Sequence, residues 1–277
     1  MKLLIFGLFL CLLPFYSVSQ HLSVMTYNIR YDSPDDGDNV WEIRKDKMIN
    51  QLNFYEPDLF GIQEGMANQV DFLDENLAAY SYFGVGRDDG KRQGEFSAVF
   101  YKNTDFNLLE GHTFWLSPTP EEPSTGWDAA LPRICTYGKF ERKSDGTIFM
   151  FFNTHFDHIG KKARVESMKL ILEQIKKLNP ENVPVIFMGD LNVEPHEAPI
   201  MEMKKQLKDT REATEMVFGP DATFNNFQFD KGPQKRLDYI AVSEKIEVLK
   251  YAVLTDSYDQ KYISDHFPVY STLRLKN

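Results

Sequence analysis

The chain has 277 residues, 42% of them hydrophobic, enough to bury a sizeable core in one large domain or two small ones. Its 41 acidic residues against 31 basic ones leave a formal net charge of −10, which argues against broad electrostatic affinity for nucleic acid. A nuclease is not excluded, because a bound divalent cation and a few local arginines offset repulsion at a site, but long duplex DNA is disfavoured as a substrate.

The first segment does not belong to the core. Lys2 is followed by an apolar stretch from Leu3 to Phe15 and then by the small-residue pattern Ser17-Val18-Ser19. This reads as a secretory signal peptide over residues 1–19, cleaved near Ser19 or Gln20, with export to a periplasmic or extracellular compartment. The run is shorter than the ~20 residues that a spanning helix needs, so no transmembrane span is expected. Bulky Phe9 and Leu10 precede Cys11 where a lipidation site carries small residues. Residues 20–277 show no repeat, low-complexity tract or composition break and read as a single domain. After cleavage only Cys135 remains, which leaves no internal disulfide; within the strand-like Arg133–Tyr137 it reads as buried filler.

Strand-like segments follow at Leu22–Tyr31, Asp58–Gln63, Phe96–Lys102, Phe106–Leu116, Ile134–Glu141, Thr147–Asn153, Val183–Met188, Arg236–Val242, Ile246–Leu254 and His266–Leu275. Helices are expected over Trp41–Phe54 and Ala67–Tyr80. A third, over Lys161–Leu178, is the clearest, because Val165, Met168, Ile171, Leu172, Ile175 and Leu178 recur three and four residues apart. The acidic stretch Asp32–Asn39 lacks the alternating carboxylates and closing Glu of a calcium loop and reads as a solvated loop. Runs such as Ile148–Phe152 have no polar face, so as strands they need cover on both sides. The expected fold is therefore α/β: a four-layer sandwich of two packed, mostly antiparallel β-sheets flanked by α-helices.

Six polar clusters sit at ends of these strands: Thr26–Arg30, Ile62–Glu64, Asn153–His155, Gly189–Asn192, Arg236–Tyr239 and Ser264–Pro268. A buried strand that ends in carboxylate, amide and imidazole groups delivers them to the rim of a sheet, where such folds build their sites. The donors are almost all hard oxygens plus two imidazoles, a set that suits Mg²⁺ or Mn²⁺. Zinc calls for more His or Cys; His155 and His158 come nearest, but an i, i+3 spacing sends them to opposite faces of a strand, so His158 reads as a loop residue near the rim. His21, His112 and His196 have no supporting context and read as surface.

The ordered set, with Gly189-Asp190-Leu191-Asn192 and the closing Ser264-Asp265-His266-Phe267-Pro268, resembles the endonuclease/exonuclease/phosphatase superfamily from about Val24 to the C-terminus. The resemblance implies a Mg²⁺- or Mn²⁺-dependent phosphoric ester hydrolase, a phosphodiesterase, phosphatase or nuclease. It implies Glu64 as the main metal ligand and Asn28 as a metal- or phosphate-contacting amide. Asp190 is then the residue that orients and deprotonates the attacking water, with Asn192 as its hydrogen-bonding partner. His266 faces the scissile phosphate, with Asp265 either ligating metal or orienting that ring. His155 takes the place of a phosphate-contacting or proton-donating group, and Asp238 that of a supporting or second-metal carboxylate.

Substrate choice is less legible. Arg133, Arg164 and Trp127 are candidate substrate-binding residues, because arginine pairs with phosphate oxygens and an indole stacks on a base or sugar. The turn Gly86–Gly90 is a further candidate. No basic run suits a nucleic-acid strand, which tilts the reading toward small or lipid-linked phosphoesters. No obligate protein partner is implied. The alternative from another class is a catalytically silent binding module on the same scaffold.

Overall fold

A computed structural model describes residues 21–276. The signal peptide expected over 1–19 lies outside the described residues. Among the described residues no helix is long and apolar enough to cross a membrane.

In chain order the elements are β1 (Leu22–Asn28), a 3-10 helix (Pro34–Asn39), α1 (Trp41–Tyr55), β2 (Leu59–Gln63), α2 (Ala67–Asn76), β3 (Tyr80–Phe83), β4 (Val99–Lys102), β5 (Phe106–Trp115) and β6 (Ile134–Arg142). They continue with β7 (Ile148–His155), α3 (Lys161–Leu178), β8 (Val185–Asp190), α4 (Ala198–Met203), β9 (Lys208–Asp209), β10 (Val217–Phe218) and β11 (Asp238–Val242). The last are β12 (Ile246–Val253), β13 (Ser257–Tyr258), β14 (Lys261–Tyr262) and β15 (Val269–Leu275). One large sheet runs β10-β12-β15-β1-β2-β4-β3 and a second β5-β6-β7-β8-β11-β9, while β13 and β14 form a separate two-stranded sheet. Most pairs are antiparallel; β1–β2, β7–β8 and β10–β12 are parallel.

The fully apolar strands are explained by three separate cores. Phe149 and Phe151 of β7, Ile186 and Met188 of β8, and Ile240 and Val242 of β11 meet Val24, Leu59 and Leu273 between the sheets. The alternate residues Met150, Phe152, Phe187 and Tyr239 face Met168, Ile171 and Ile175 of α3 and Ile200 of α4. On the far side, Met25, Tyr27, Phe60 and Phe100 pack on Met48 and Leu52 of α1 and Val70 and Leu73 of α2. Helix, sheet, sheet and helix therefore stack as the expected four-layer sandwich. Burying each of these large side chains contributes roughly 1.5–3 kcal/mol.

Local differences from the expectation have physical causes. Helix α2 stops at Asn76, because Tyr80–Phe83 pairs with β4 and Tyr82 stacks on Phe100 at 5.2 Å between centroids. Residues 32–39 are ordered by Ser33, whose hydroxyl caps the 3-10 turn at Asp35 N, with Pro34 at its first position. The two-residue strands and short α4 carry too little sequence to show a period.

Near the open end of the inter-sheet core the sheets are cross-tied by a buried amide. Asn153 donates to the carbonyls of Ile62 and Ala98 at 2.8 and 3.0 Å and accepts from Gln63 Nε2 at 2.6 Å. Room for it exists because residue 61 is glycine; a Cβ there would lie 2.4 Å from Asn153 Cγ. Gly61→Ala should therefore destabilise the protein by about 1–3 kcal/mol through overpacking. Asn153→Ala should also destabilise, by orphaning buried partners. Because the new methyl of one variant occupies the space vacated by the other, the double variant should be less destabilised than the sum, and additivity in denaturant titrations would refute the steric account.

Candidate active site

The inter-sheet face does not stay apolar to its end. On the face that carries Phe149 and Phe151, β7 continues with Asn153 and His155. On the face of Ile186 and Met188, β8 continues with Asp190, and β11 begins with Asp238 before Ile240 and Val242. Register then aligns three of these groups, since His155 pairs with Asp190 and Asp190 with Asp238. Neighbouring strands are about 4.8 Å apart, so pairing alone brings an imidazole and two carboxylates into one row. From the opposite sheet, Asn28 at the end of β1 donates through Nδ2 to Asp190 Oδ2 at 2.9 Å and to Glu64 Oε1 at 3.0 Å.

Backbone conformations that side chains ordinarily avoid cluster here. Gly189 has φ 146°, and a Cβ on it would lie 2.0 Å from Thr154 O. The glycine of the Gly-Asp-x-Asn cluster is thus required by the close approach of β7. Glu64 (φ 62°) and Asn192 (φ 49°) are both left-handed, which costs most for Glu64. Asn192 N donates to Asp190 Oδ1 at 2.9 Å, and its side-chain amide donates to Phe156 O at 3.0 Å. Buried Arg44 of α1 donates to the carbonyls of Ile29, Arg30 and Ile263, tying the chain after β1 to the segment before β15. Ser264 Oγ adds a bond to Asn28 O at 2.7 Å.

The electrostatics separate the two histidines. His266 Nδ1 is 2.8 Å from Asp238 Oδ2, and its Nε2 is 3.7 Å from Asp190 Oδ2. Burial alone would lower its pKa, but Asp238, Asp190 and Asp265 hold it well above the usual imidazole value, so the ring is a cation at neutral pH. His155 goes the other way: burial and then the Arg133 guanidinium bring it down to about 3, so it is neutral. Burial raises Asp190, opposed by His266 and reinforced by Asp238. Asp265 is pushed up to about 6, by burial first, against His266, and then by neighbouring Glu64.

Of the candidate residues, Glu64, Arg133, His155, Asp190, Asn192, Asp265 and His266 line one cleft of about 570 Å³; Asn28 and Asp238 lie directly behind it. The His266 ring is held by Asp238 and not by Asp265. Asp238 stands in register beside Asp190, while the Asp265 carboxylate lies 4.0 Å from Arg30 Nε, on the Glu64 side. Arg164 is not brought to the cleft: buried on α3, it donates to Asp157 O at 3.0 Å. Half-buried Trp127 also lies outside the lining, on a loop whose Asp128 accepts from Ala163 N at 2.6 Å and Lys162 N at 3.2 Å, capping α3. In the turn 86–90, Arg87 is buried and paired bidentately with Glu95 at 2.7 and 2.9 Å.

Several residues escaped the sequence. Glu95, Leu131, Phe224, Asn226 and Lys235 line the cleft from loops without a periodic signal. Thr223 donates to Asp238 Oδ2 at 2.5 Å while accepting from the amides of Leu237 and Asp238. His158 lines the cleft beside His155, because β7 ends at His155 and the chain turns there. Asp157 makes that turn, accepting from the amides of Gly160, Ile159 and Ala130.

A family model described as the endonuclease/exonuclease/phosphatase family matches residues 25–266. The solved mannosyl-6-phosphatase Bt3783 of Bacteroides thetaiotaomicron is 42% identical with a TM-score of 0.89, covering 91% of this chain and 99% of that one. An endonuclease/exonuclease/phosphatase family protein of the same organism is 40% identical with a TM-score of 0.89, over 93% and 99% of the two chains. The probable RNA exonuclease NGL3 of Saccharomyces cerevisiae is 27% identical over 212 residues, 68% of this chain and 41% of that protein. The chain spans 27–60% of the length of the curated relatives it matches.

The Asp157 turn has a measurable signature. Burial alone would raise its carboxyl, but the amides of Gly160, Ile159 and Ala130, with Arg133, bring it from 3.8 down to about 2. A folded-state pKa below the unfolded one gives stability that is full above 3.8 and lost as pH falls through about 2. The melting-temperature gap between wild type and Asp157→Asn should therefore be constant above pH 5 and close between about pH 4 and 2. A gap that stays constant to pH 2 would contradict this assignment.

Proposed function

The chain belongs to the endonuclease/exonuclease/phosphatase family, and from that premise we propose that it is a divalent-cation-dependent phosphatase of small phosphoesters, with a sugar phosphate as the favoured substrate. Members of this family are phosphoester hydrolases. The observation that carries the narrower reading is the row His155–Asp190–Asp238, faced by Asn28 and Glu64 and closed by the His266 cation.

The residues fit a hard divalent cation such as Mg²⁺ or Mn²⁺. Glu64 and Asp265 supply hard carboxylate oxygens on the same side of the cleft, both within 4.0 Å of the Arg30 guanidinium. When bound, such an ion offsets phosphoryl charge and polarises the phosphorus centre. The chain's own groups do the rest. Asp190, fixed by Asn28 and by Asn192 N, accepts a proton from the attacking water as its oxygen bonds to phosphorus. The bond from phosphorus to the alcohol oxygen breaks, and the imidazolium of His266 supplies the proton with which that oxygen leaves. Asp238, itself held by Thr223, keeps the ring charged and oriented. The products are inorganic phosphate and an alcohol.

Small substrates are favoured by both volume and charge. A cleft of about 570 Å³ suits a small ligand. Of its cationic lining, Arg30 is held bidentately by Asp36 at 3.0 and 2.8 Å, and Arg133 is engaged by Asp157 and two imidazoles. Exposed Lys235 is then left on the wall, which is little for tracking a polyanion. The likeness to a mannosyl-6-phosphatase supports the sugar phosphate. Export, read from residues 1–19, is part of the same proposal.

Release of inorganic phosphate from mannose 6-phosphate and other hexose phosphates, measured beside cleavage of RNA and single-stranded DNA, tests this directly. Chelator should abolish phosphate release, and Mg²⁺ or Mn²⁺ should restore it. Asp190→Asn and Asp238→Asn should each lower kcat on the order of 10²–10⁴-fold with the melting temperature retained. Nucleic-acid cleavage without sugar-phosphate turnover would replace this reading with a nuclease, and insensitivity to both variants would leave a silent binding module.

A further inference from the structure

Arginine carries five N–H donors and no acceptor. The Arg133 guanidinium distributes them along the cleft wall: Nε lies 3.4 Å from Asp157 Oδ2, Nη1 3.1 Å from His155 Nδ1, and Nη2 3.0 Å from His158 Nδ1. Because that group only donates, both Nδ1 atoms accept; His155 Nε2 meets the Asn192 side-chain amide Nδ2 at 3.1 Å, whereas the His158 ring carries its hydrogen on Nε2. The two rings stand at different depths. His155 is 7% exposed and backed by Asp190, whereas His158 is exposed at the mouth, with both lining the same cleft. Asp157 between them is pinned by three backbone amides, which fixes the loop that carries His158. His158 Nε2–H is thus a pre-oriented donor on the cleft wall with no part in the chemistry derived above.

We propose that His158 contacts the substrate and sets a preference for phosphomonoesters over phosphodiesters, with Arg133 as the positioning residue that fixes its ring. The inference rests on the hydrolase reading of the same cleft. A monoester dianion has three non-bridging oxygens, whereas a diester has two and a second ester substituent. His266 donates from the buried side of the cleft. His158 adds a donor on the exposed side, where a third charged oxygen gains a hydrogen bond and an esterified oxygen gains little. A hydrogen bond to a charged group of this kind is worth roughly 10- to 100-fold in selectivity.

Two substitutions separate contact from positioning, and exposure of residue 158 lets both fold. His158→Asn keeps a polar group near the Nδ1 position for Arg133 but ends short of the cleft; His158→Gln carries an amide N–H to about the Nε2 position. With p-nitrophenyl phosphate and bis(p-nitrophenyl) phosphate, the monoester-to-diester ratio of kcat/KM should fall roughly 10- to 100-fold in His158→Asn and recover substantially in His158→Gln. Competitive inhibition by inorganic phosphate should weaken in His158→Asn and recover likewise. An unchanged ratio, or Gln no better than Asn, overturns the inference while wild-type turnover keeps the hydrolase reading. If the wild type hydrolyses neither ester with any divalent cation, both fall together.

Discussion

The Asp190 carboxylate is where the two sheets meet chemically, and the arrangement of the site depends on it. Its Oδ2 takes the Asn28 amide from one sheet and faces His155 and His266 at 3.5 and 3.7 Å; its Oδ1 takes the Asn192 amide of its own turn. A buried carboxylate is costly without such partners. Here every partner is placed by backbone pairing or by a turn that the pairing requires. The position of the reactive group is therefore a consequence of strand register, and a shift of one residue in β8 would turn it onto the helix face.

Charge is arranged around that point with opposite results on its two sides. On the β11 side, Asp238 and Thr223 hold His266 as a cation. On the β7 side, burial and then Arg133 hold His155 neutral. One imidazole can surrender a proton; the other, set between the Arg133 and Asn192 donors, cannot. Sequence neighbours do not distinguish the two rings, since each lies next to potential hydrogen-bonding residues; the difference arises from what packs behind each Nδ1, a carboxylate in one case and a guanidinium in the other.

The layers and the row of site residues were legible because they obey a period. Strands without a polar face demanded cover on both sides, and the three cores supply it. The polar clusters that close those strands were readable from their position, and the family resemblance singled out Asn28, His155 and Asp190 within them; alternation then keeps all three on the inter-sheet side. What spacing does not reach is side-chain direction in a loop. Asp265 was expected to ligate metal or orient the His266 ring; register instead puts Asp238 beside Asp190, where it holds that ring. Arg164 and Trp127 were chosen for chemistry without a constraint on direction; one faces Asp157 O and the other lies outside the cleft lining. Glu95 and Thr223 lie in irregular segments whose paths are set by contacts remote in sequence.

The same distinction explains where family likeness stops being informative. Elements that share a period and a register, namely β1, β2, β7, β8 and β11, deliver the hydrolytic groups, and these are what an ordered set of motifs detects. The cleft mouth is built from the loops that carry Leu131, His158, Phe224 and Lys235, held by local bonds such as the Asp157 turn and the Asp128 cap on α3. Such loops tolerate change at little cost to the cores, because they bury few large apolar side chains. Specificity can therefore diverge while the row around Asp190 stays constant. For this scaffold, substrate identity must be argued from the mouth and reaction class from the row.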